Sequence, residues 1–137
     1  MRSALFRFAL VLAVLAPTLV RAAEPDILAR GQYLVERVGM CSDCHSPRDP
    51  TGQFVRSAWL GGAPIGVAPQ HPVPGWAGYA PALAGLPANF TEATLARFLE
   101  TGQRPDGSHA GAPMPPYRFS RPDAEAVVAY LKSLRRE

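Results

Sequence analysis

The stretch Met40-Cys41-Ser42-Asp43-Cys44-His45 limits what this chain can become more than any other part of it. It holds the only two cysteines, three positions apart, with a histidine directly behind. Side chains at i and i+3 of a helical turn lie on the same side, about one turn apart. Two thiols so placed meet two substituents on one edge of a flat ligand, and the adjoining imidazole reaches that ligand's centre. This is the arrangement of covalent haem attachment, in which each thiol adds to a porphyrin vinyl group and the histidine coordinates iron. A thioredoxin-like dithiol would use the same C-x-x-C, but that fold needs alternating strands and helices, and the pattern here lacks them. A structural zinc site needs four ligands, and the remaining histidines, His71 and His109, do not recur at finger-like spacing.

The amino terminus places this motif in an exported protein. Arg2 and Arg7, an apolar run from Phe8 to Val20 and small residues around Ala22 predict a secretory leader over residues 1–23. That run is short for a bilayer span, with an uncleaved anchor as the alternative. Three of the 14 basic residues, Arg2, Arg7 and Arg21, belong to the leader, whereas all 11 acidic residues follow it. The mature chain is formally neutral, so its basic balance gives no case for nucleic-acid binding.

What remains is short of core. The chain carries 15 prolines and 12 glycines, and from Pro47 to Pro87 it shows neither helical period nor clean alternation for strands. So long a loop region in a small domain needs something to fold around. A porphyrin with large apolar faces meets that need, and the ligand becomes part of the core.

Three amphipathic helices frame this middle. The first starts at an Asp26 N-cap and sets Ile27, Gly31, Leu34, Val35 and Val38 at helical spacing before Gly39. The second spans about Thr91 to Thr101, with Leu95, Phe98 and Leu99 on one face, Glu92 at its positive end and Gly102 as terminator. Ser120 and Asp123 have capping-box spacing at the start of the third, whose buried stripe is Ala124, Val127, Val128, Leu131 and Leu134. Lys132, Arg135 and Arg136 favour its negative end. Gly31 is the expected point of closest approach to the last helix, where a ring such as Tyr130 could lie against the backbone; otherwise it merely weakens its own helix.

The residue on the far side of the iron decides what such a haem does. An open face binds gases or activates peroxide, whereas a face closed by a thioether mainly passes electrons. The mature chain has two methionines. Met40 adjoins the attachment turn and is poorly placed to come round it, while Met114 in GAPMPPYRF is stiffened by Pro113, Pro115 and Pro116. Met114 is therefore the expected sixth ligand, with His71 and His109 as competitors. His45 should give its other ring N–H to a fixed acceptor. The segment YAPALAGL offers the carbonyl of Pro81, with Leu83 against the ring.

With these residues in place the chain resembles the class I cytochromes c over essentially its whole mature length. Gly31 in its helix, CSDCH, APALAG, EATLARFLETG, PMPPYRF and AEAVVAYLKSL follow that family's order. It is especially similar to the haem domains attached to bacterial periplasmic dehydrogenases, where RGQYLVERVGMCSDCHSPRD and MPPYR have close counterparts. The resemblance implies an all-α class I cytochrome c fold, about three main helices with long Pro- and Gly-rich loops around one covalently attached haem c. It implies a cytochrome domain over residues 24–137 and binding roles for Cys41, Cys44, His45, Pro81, Leu83 and Met114, with His45 and Met114 on the metal. The function it implies is a periplasmic one-electron carrier of the respiratory chain, not an enzyme itself. A dehydrogenase would be its donor and a cytochrome or oxidase its acceptor, either as a free carrier or within an oxidoreductase complex. Membrane contact is expected only if the leader stays uncleaved.

Two departures stand out. The span from Ser46 to Tyr79 is longer than in compact members; Trp59 is expected to fill it, and Trp76 either fills it or meets the ring. The lysine ring of some members is absent, so long-range steering toward an acidic partner is not supported. Two alternatives stay open: a haem protein with an open or displaceable sixth site, and a thiol oxidoreductase.

Overall fold

Asp26 begins the first helix by accepting the Leu28 N–H on its side chain at 3.0 Å, satisfying one of the donors that a helix start leaves free. The computed structural model describes residues 26–134. The leader expected at 1–23 and the basic residues Arg135 and Arg136 lie outside the described residues. Helix α1 (Ile27–Tyr33) continues without a break into a wider π turn (Leu34–Val38), closed where the Gly39 N–H donates to the Leu34 carbonyl at 2.7 Å. The CSDCH segment forms a helix of its own, α2 (Cys41–His45). Helices α3 (Glu92–Thr101) and α4 (Arg121–Ser133) match the second and third amphipathic segments. Four α-helices thus stand among the described residues where about three main ones are expected, because the CSDCH segment adds one.

The middle of the chain is irregular but not free of strand. Its only strands among the described residues are β1 (Ala63–Pro64) and β2 (Tyr79–Ala80), antiparallel with Ala63 opposite Ala80 and Pro64 opposite Tyr79. Proline and glycine on either side keep the pair to two residues each. One 3-10 turn, Arg56–Ala58, precedes it.

Helix α4 packs chiefly across α1 and secondarily against α3. Leu34 and Val35 from the π turn, Leu95, Phe98 and Leu99 from α3, and Val127, Val128 and Leu131 from α4 form most of the buried cluster. Gly31 sits at the crossing. A Cβ there would fall 2.0 Å from the Ala126 carbonyl oxygen and 2.7 Å from the Tyr130 Cβ, so the two backbones meet where a side chain has been left out. Tyr130 also reaches back toward the first helix, where its hydroxyl donates to Glu36 at 2.6 Å.

The caps differ from expectation in one respect. The Ser120 hydroxyl accepts the Asp123 N–H at 3.4 Å, but the Asp123 carboxylate does not return the bond. It accepts from Arg30 at 2.9 Å instead, linking α4 to α1. A reciprocal box does form at α3, between Thr91 and Thr94. Gly102 ends α3 at φ 75°, a left-handed conformation that glycine adopts without strain.

Gly31→Ala therefore tests the crossing. The atom it meets is backbone and cannot swing aside, so the helices must separate. Overpacking of this kind costs about 1–3 kcal/mol, and the thermal unfolding temperature of the protein should fall by several degrees. An unchanged melting temperature would show that the crossing is looser than described.

Candidate functional site

A helix of five residues has no stability of its own, so neighbouring segments must hold α2 at both ends. At its start Met40 takes a left-handed conformation, φ 46°, and turns the chain sharply out of the π turn. The carbonyl of Gly39 accepts the Tyr117 hydroxyl at 2.5 Å. At its end the His45 carbonyl accepts the Gly62 N–H at 2.8 Å, and the Ser46 hydroxyl oxygen accepts the Leu60 N–H at 2.8 Å. Gly62 stands at φ 87°, and a Cβ there would lie 2.9 Å from the Ala82 nitrogen, so this approach also depends on glycine.

The functional atoms follow from this placement. Cys41 is half-buried, Cys44 is exposed, and neither forms a disulfide. His45 is only 7% exposed, and its Nδ1 lies 2.7 Å from the Pro81 carbonyl oxygen. A carbonyl can only accept, so Nδ1 carries the proton and Nε2 keeps its lone pair free. Burial lowers the His45 pKa and the Pro81 bond raises it in part, so that the imidazole favours its neutral form. These residues fit a haem c: two free thiols on one turn beside a buried, neutral imidazole with one nitrogen committed and the other available.

The same environment weighs against thiol redox chemistry. Burial pushes the Cys41 thiol up to about 11, opposite to the depressed value that a thiol nucleophile needs. Among the described residues no group of three or more His, Cys, Asp or Glu could hold a metal ion. Nor is any described helix long and apolar enough to cross a membrane.

The structure brings His45 and Pro81 into direct contact. Leu83 is half-buried against the main cluster, its N–H bonded to the Leu60 carbonyl at 2.8 Å. Met114 is half-buried against the same cluster. Met40 is 56% exposed, and His71 is exposed. The ring of His109 is tied back to its own loop, with Nδ1 2.9 Å from the Gly102 carbonyl oxygen. Trp59 packs against the cluster and meets Phe54 edge-on at 5.3 Å between centroids, while Trp76 is half-buried.

Two features were not foreseen from sequence. The long loop ties the attachment turn to the Met114 segment: Gly62 holds His45 at one end, and at the other the Ala77 N–H donates to the Ala112 carbonyl at 2.6 Å. A Cβ on Gly111 would fall 2.2 Å from the Gly75 carbonyl oxygen, so the two loops touch backbone to backbone. The second feature is Tyr117. Its hydroxyl reaches Gly39 across 78 positions of sequence, a distance at which no periodicity signals contact.

Comparison with known proteins places this geometry in a family context. A family model for cytochrome c matches residues 28–135. The chain is 32% identical to a diheme cytochrome c-type protein of Cereibacter sphaeroides over 108 residues, covering 75% of this chain and 34% of that protein. It is 34% identical to the gluconate 2-dehydrogenase cytochrome c subunit of Pantoea cypripedii over 123 residues, 82% of this chain and 27% of that one. With the fructose dehydrogenase cytochrome subunit of Gluconobacter japonicus it shares 32% identity over 114 residues, 77% of this chain and 21% of that one. The chain thus spans about a third or less of the length of these relatives.

The contact between the two loops is testable through Gly111→Ala, with Gly66→Ala as control because a Cβ at Gly66 meets nothing within 4 Å. Urea unfolding of the haem-loaded protein should show a loss of about 1–3 kcal/mol for the first and little change for the second. Equal effects would mean that the loop contact carries no stability.

Proposed function

Because the chain belongs to the cytochrome c family, we propose that it is a one-electron carrier in which Cys41 and Cys44 would tether one haem c and His45 and Met114 would hold its iron. The observation that carries this reading is the fixed imidazole: the His45 Nδ1–Pro81 bond leaves Nε2 as the ring nitrogen free to bind iron. When bound, the haem supplies a ferric/ferrous couple that gains and loses one electron without bond chemistry.

The protein's own residues do the rest. Cys41 and Cys44 would hold the ring by its edge, and the burial of His45 with its committed Nδ1 keeps that imidazole neutral and correctly turned. The Met114 thioether, from a segment stiffened by prolines, would favour the ferrous state relative to a second imidazole and would close the iron to outside ligands. The two cysteines of the sequence provide for one haem per chain. The relative named as diheme is more than twice as long.

The names of the relatives support a dehydrogenase as electron donor; a cytochrome or oxidase is the acceptor in this reading. Residues 1–23 would serve as export leader and 24–137 as the cytochrome domain, working in the periplasm. Docking fits a small, neutral face, in keeping with the brief, low-area encounters of redox partners. From residue 57 to 91 the chain carries no Asp, Glu, Lys or Arg. Within that stretch Val67, Val73 and Tyr79 are exposed.

Met114→Ala tests the ligation. The sulfur-to-ferric-iron charge-transfer band should disappear, and the potential should fall by a sizeable part of the roughly 0.8 V span that axial ligands control. An unchanged spectrum would mean that another residue holds the sixth site. Carbon monoxide gives the functional counterpart: the reduced wild-type protein should bind it slowly or in part, whereas rapid, complete binding would favour a gas-sensing or peroxidase role.

A further inference from the structure

The segment after Met114 is tied down at three successive residues, two of them to α3 and one to the turn that carries the thiols. The Phe119 N–H donates to the Leu99 carbonyl at 3.1 Å. Arg118 donates to the Thr101 carbonyl at 3.3 Å, at the end of α3. Tyr117 alone reaches the attachment turn, donating its hydroxyl to Gly39 at 2.5 Å. That hydroxyl also lies beside the first thiol, since a Cβ built on Gly39 would be 3.5 Å from the Tyr117 Oη and 3.2 Å from the Cys41 Sγ. The Tyr117 ring is stacked on Phe119, 5.1 Å between centroids and 6° between planes, and both rings pack against the buried cluster. The Gly39 carbonyl has lost its helical partner where the chain turns at Met40, so the phenol fills a vacancy created by the π turn.

We propose that Tyr117 is a positioning residue for the sixth ligand: its bond to Gly39 ties the Met114 segment to the thiol-bearing turn and restrains the movement that would take the Met114 sulfur off the iron. This rests on the His45/Met114 ligation proposed above. Phe119 and Arg118 anchor the same segment to α3, so their bonds can persist while the end nearer Met114 swings. The Tyr117 bond spans the two ligand-bearing segments and must stretch or break if they part.

Tyr117→Phe removes one oxygen and leaves the stacked ring in place. The measurement is the affinity of the oxidised, haem-loaded protein for imidazole, which must displace Met114 to bind. Tyr130→Phe is the control, because it removes a comparable hydroxyl bond, to Glu36 at 2.6 Å, from the crossing of α1 and α4. Tyr117→Phe should bind imidazole about threefold to tenfold more tightly than wild type, the range expected for one lost partly buried hydrogen bond. Tyr130→Phe should lower overall stability without a comparable change in imidazole affinity. Unchanged affinity in Tyr117→Phe, or an equal change in both variants, would overturn the proposal. If Tyr117→Phe does not accumulate with haem, the wild-type hydroxyl proton gives the second reading. It should exchange slowly with solvent in the resting protein and rapidly at saturating imidazole; slow exchange in both states would overturn the proposal. The wild-type charge-transfer band, recorded first, separates these outcomes from failure of the ligation itself, since a wild-type protein without that band has no thioether to position.

Discussion

A single turn of helix cannot hold itself, and the chemistry assigned to this chain depends on one. Cys41–His45 is fixed from outside: by the π turn and the left-handed Met40 before it, by Tyr117 across Gly39, by Gly62 on the His45 carbonyl, and by Pro81 on the His45 ring. Of these the Pro81 bond has the most direct chemical result. It sets the tautomer of a buried imidazole and so determines which nitrogen faces a ligand. The remaining contacts locate the turn, and the turn locates both thiols.

The supports come from segments that, taken singly, have little reason to be ordered. The loop from Pro47 to Tyr79 has few regular hydrogen bonds and a two-residue strand pair, yet it bonds to the backbone of the His45 turn and to that of the Met114 segment. In the proposed loaded state a haem between these segments would bury apolar surface that three helices and a Pro-rich loop cannot cover alone. Ligand binding and folding are then linked, because anything that binds only the folded chain stabilises it.

How much of this was legible in the sequence follows from the range of the signals. Helical periodicity is local, and it located α1, α3 and α4, the Asp26 and Gly102 caps and the stripe on α4. The close approach at Gly31 was also foreseeable, since a lone glycine on an apolar helix face suggests a crossing partner. The capping pattern at Ser120 misled in part: Asp123 could satisfy either a backbone N–H or Arg30, and the guanidinium across the interface won. The Thr91–Thr94 box was missed because Thr is a less common reciprocal partner than Glu or Gln. The π turn, the Gly111–Gly75 contact and the Tyr117–Gly39 bond leave no periodic trace, since each depends on chain segments brought together from afar. For the site, C-x-x-C-H spacing singled out the Cys41–His45 turn, and the contact of the His45 ring with the Pro81 carbonyl was expected from its neighbourhood. Tyr117, next to Pro116 in the same quoted motif, could have been found only by asking what a phenol in a Met loop would reach.

The family and the fixed imidazole together suit the proposed role of holding a redox centre still while electrons pass. Its long uncharged loop, its missing lysine ring and its likeness to cytochrome subunits of dehydrogenases agree with transfer over short contacts rather than charge-steered encounter. The most direct test of the account is X-ray absorption at the iron of the oxidised protein. The account predicts one sulfur and one imidazole nitrogen bound to iron in addition to the four porphyrin nitrogens; a coordination shell containing only nitrogen and oxygen would contradict it.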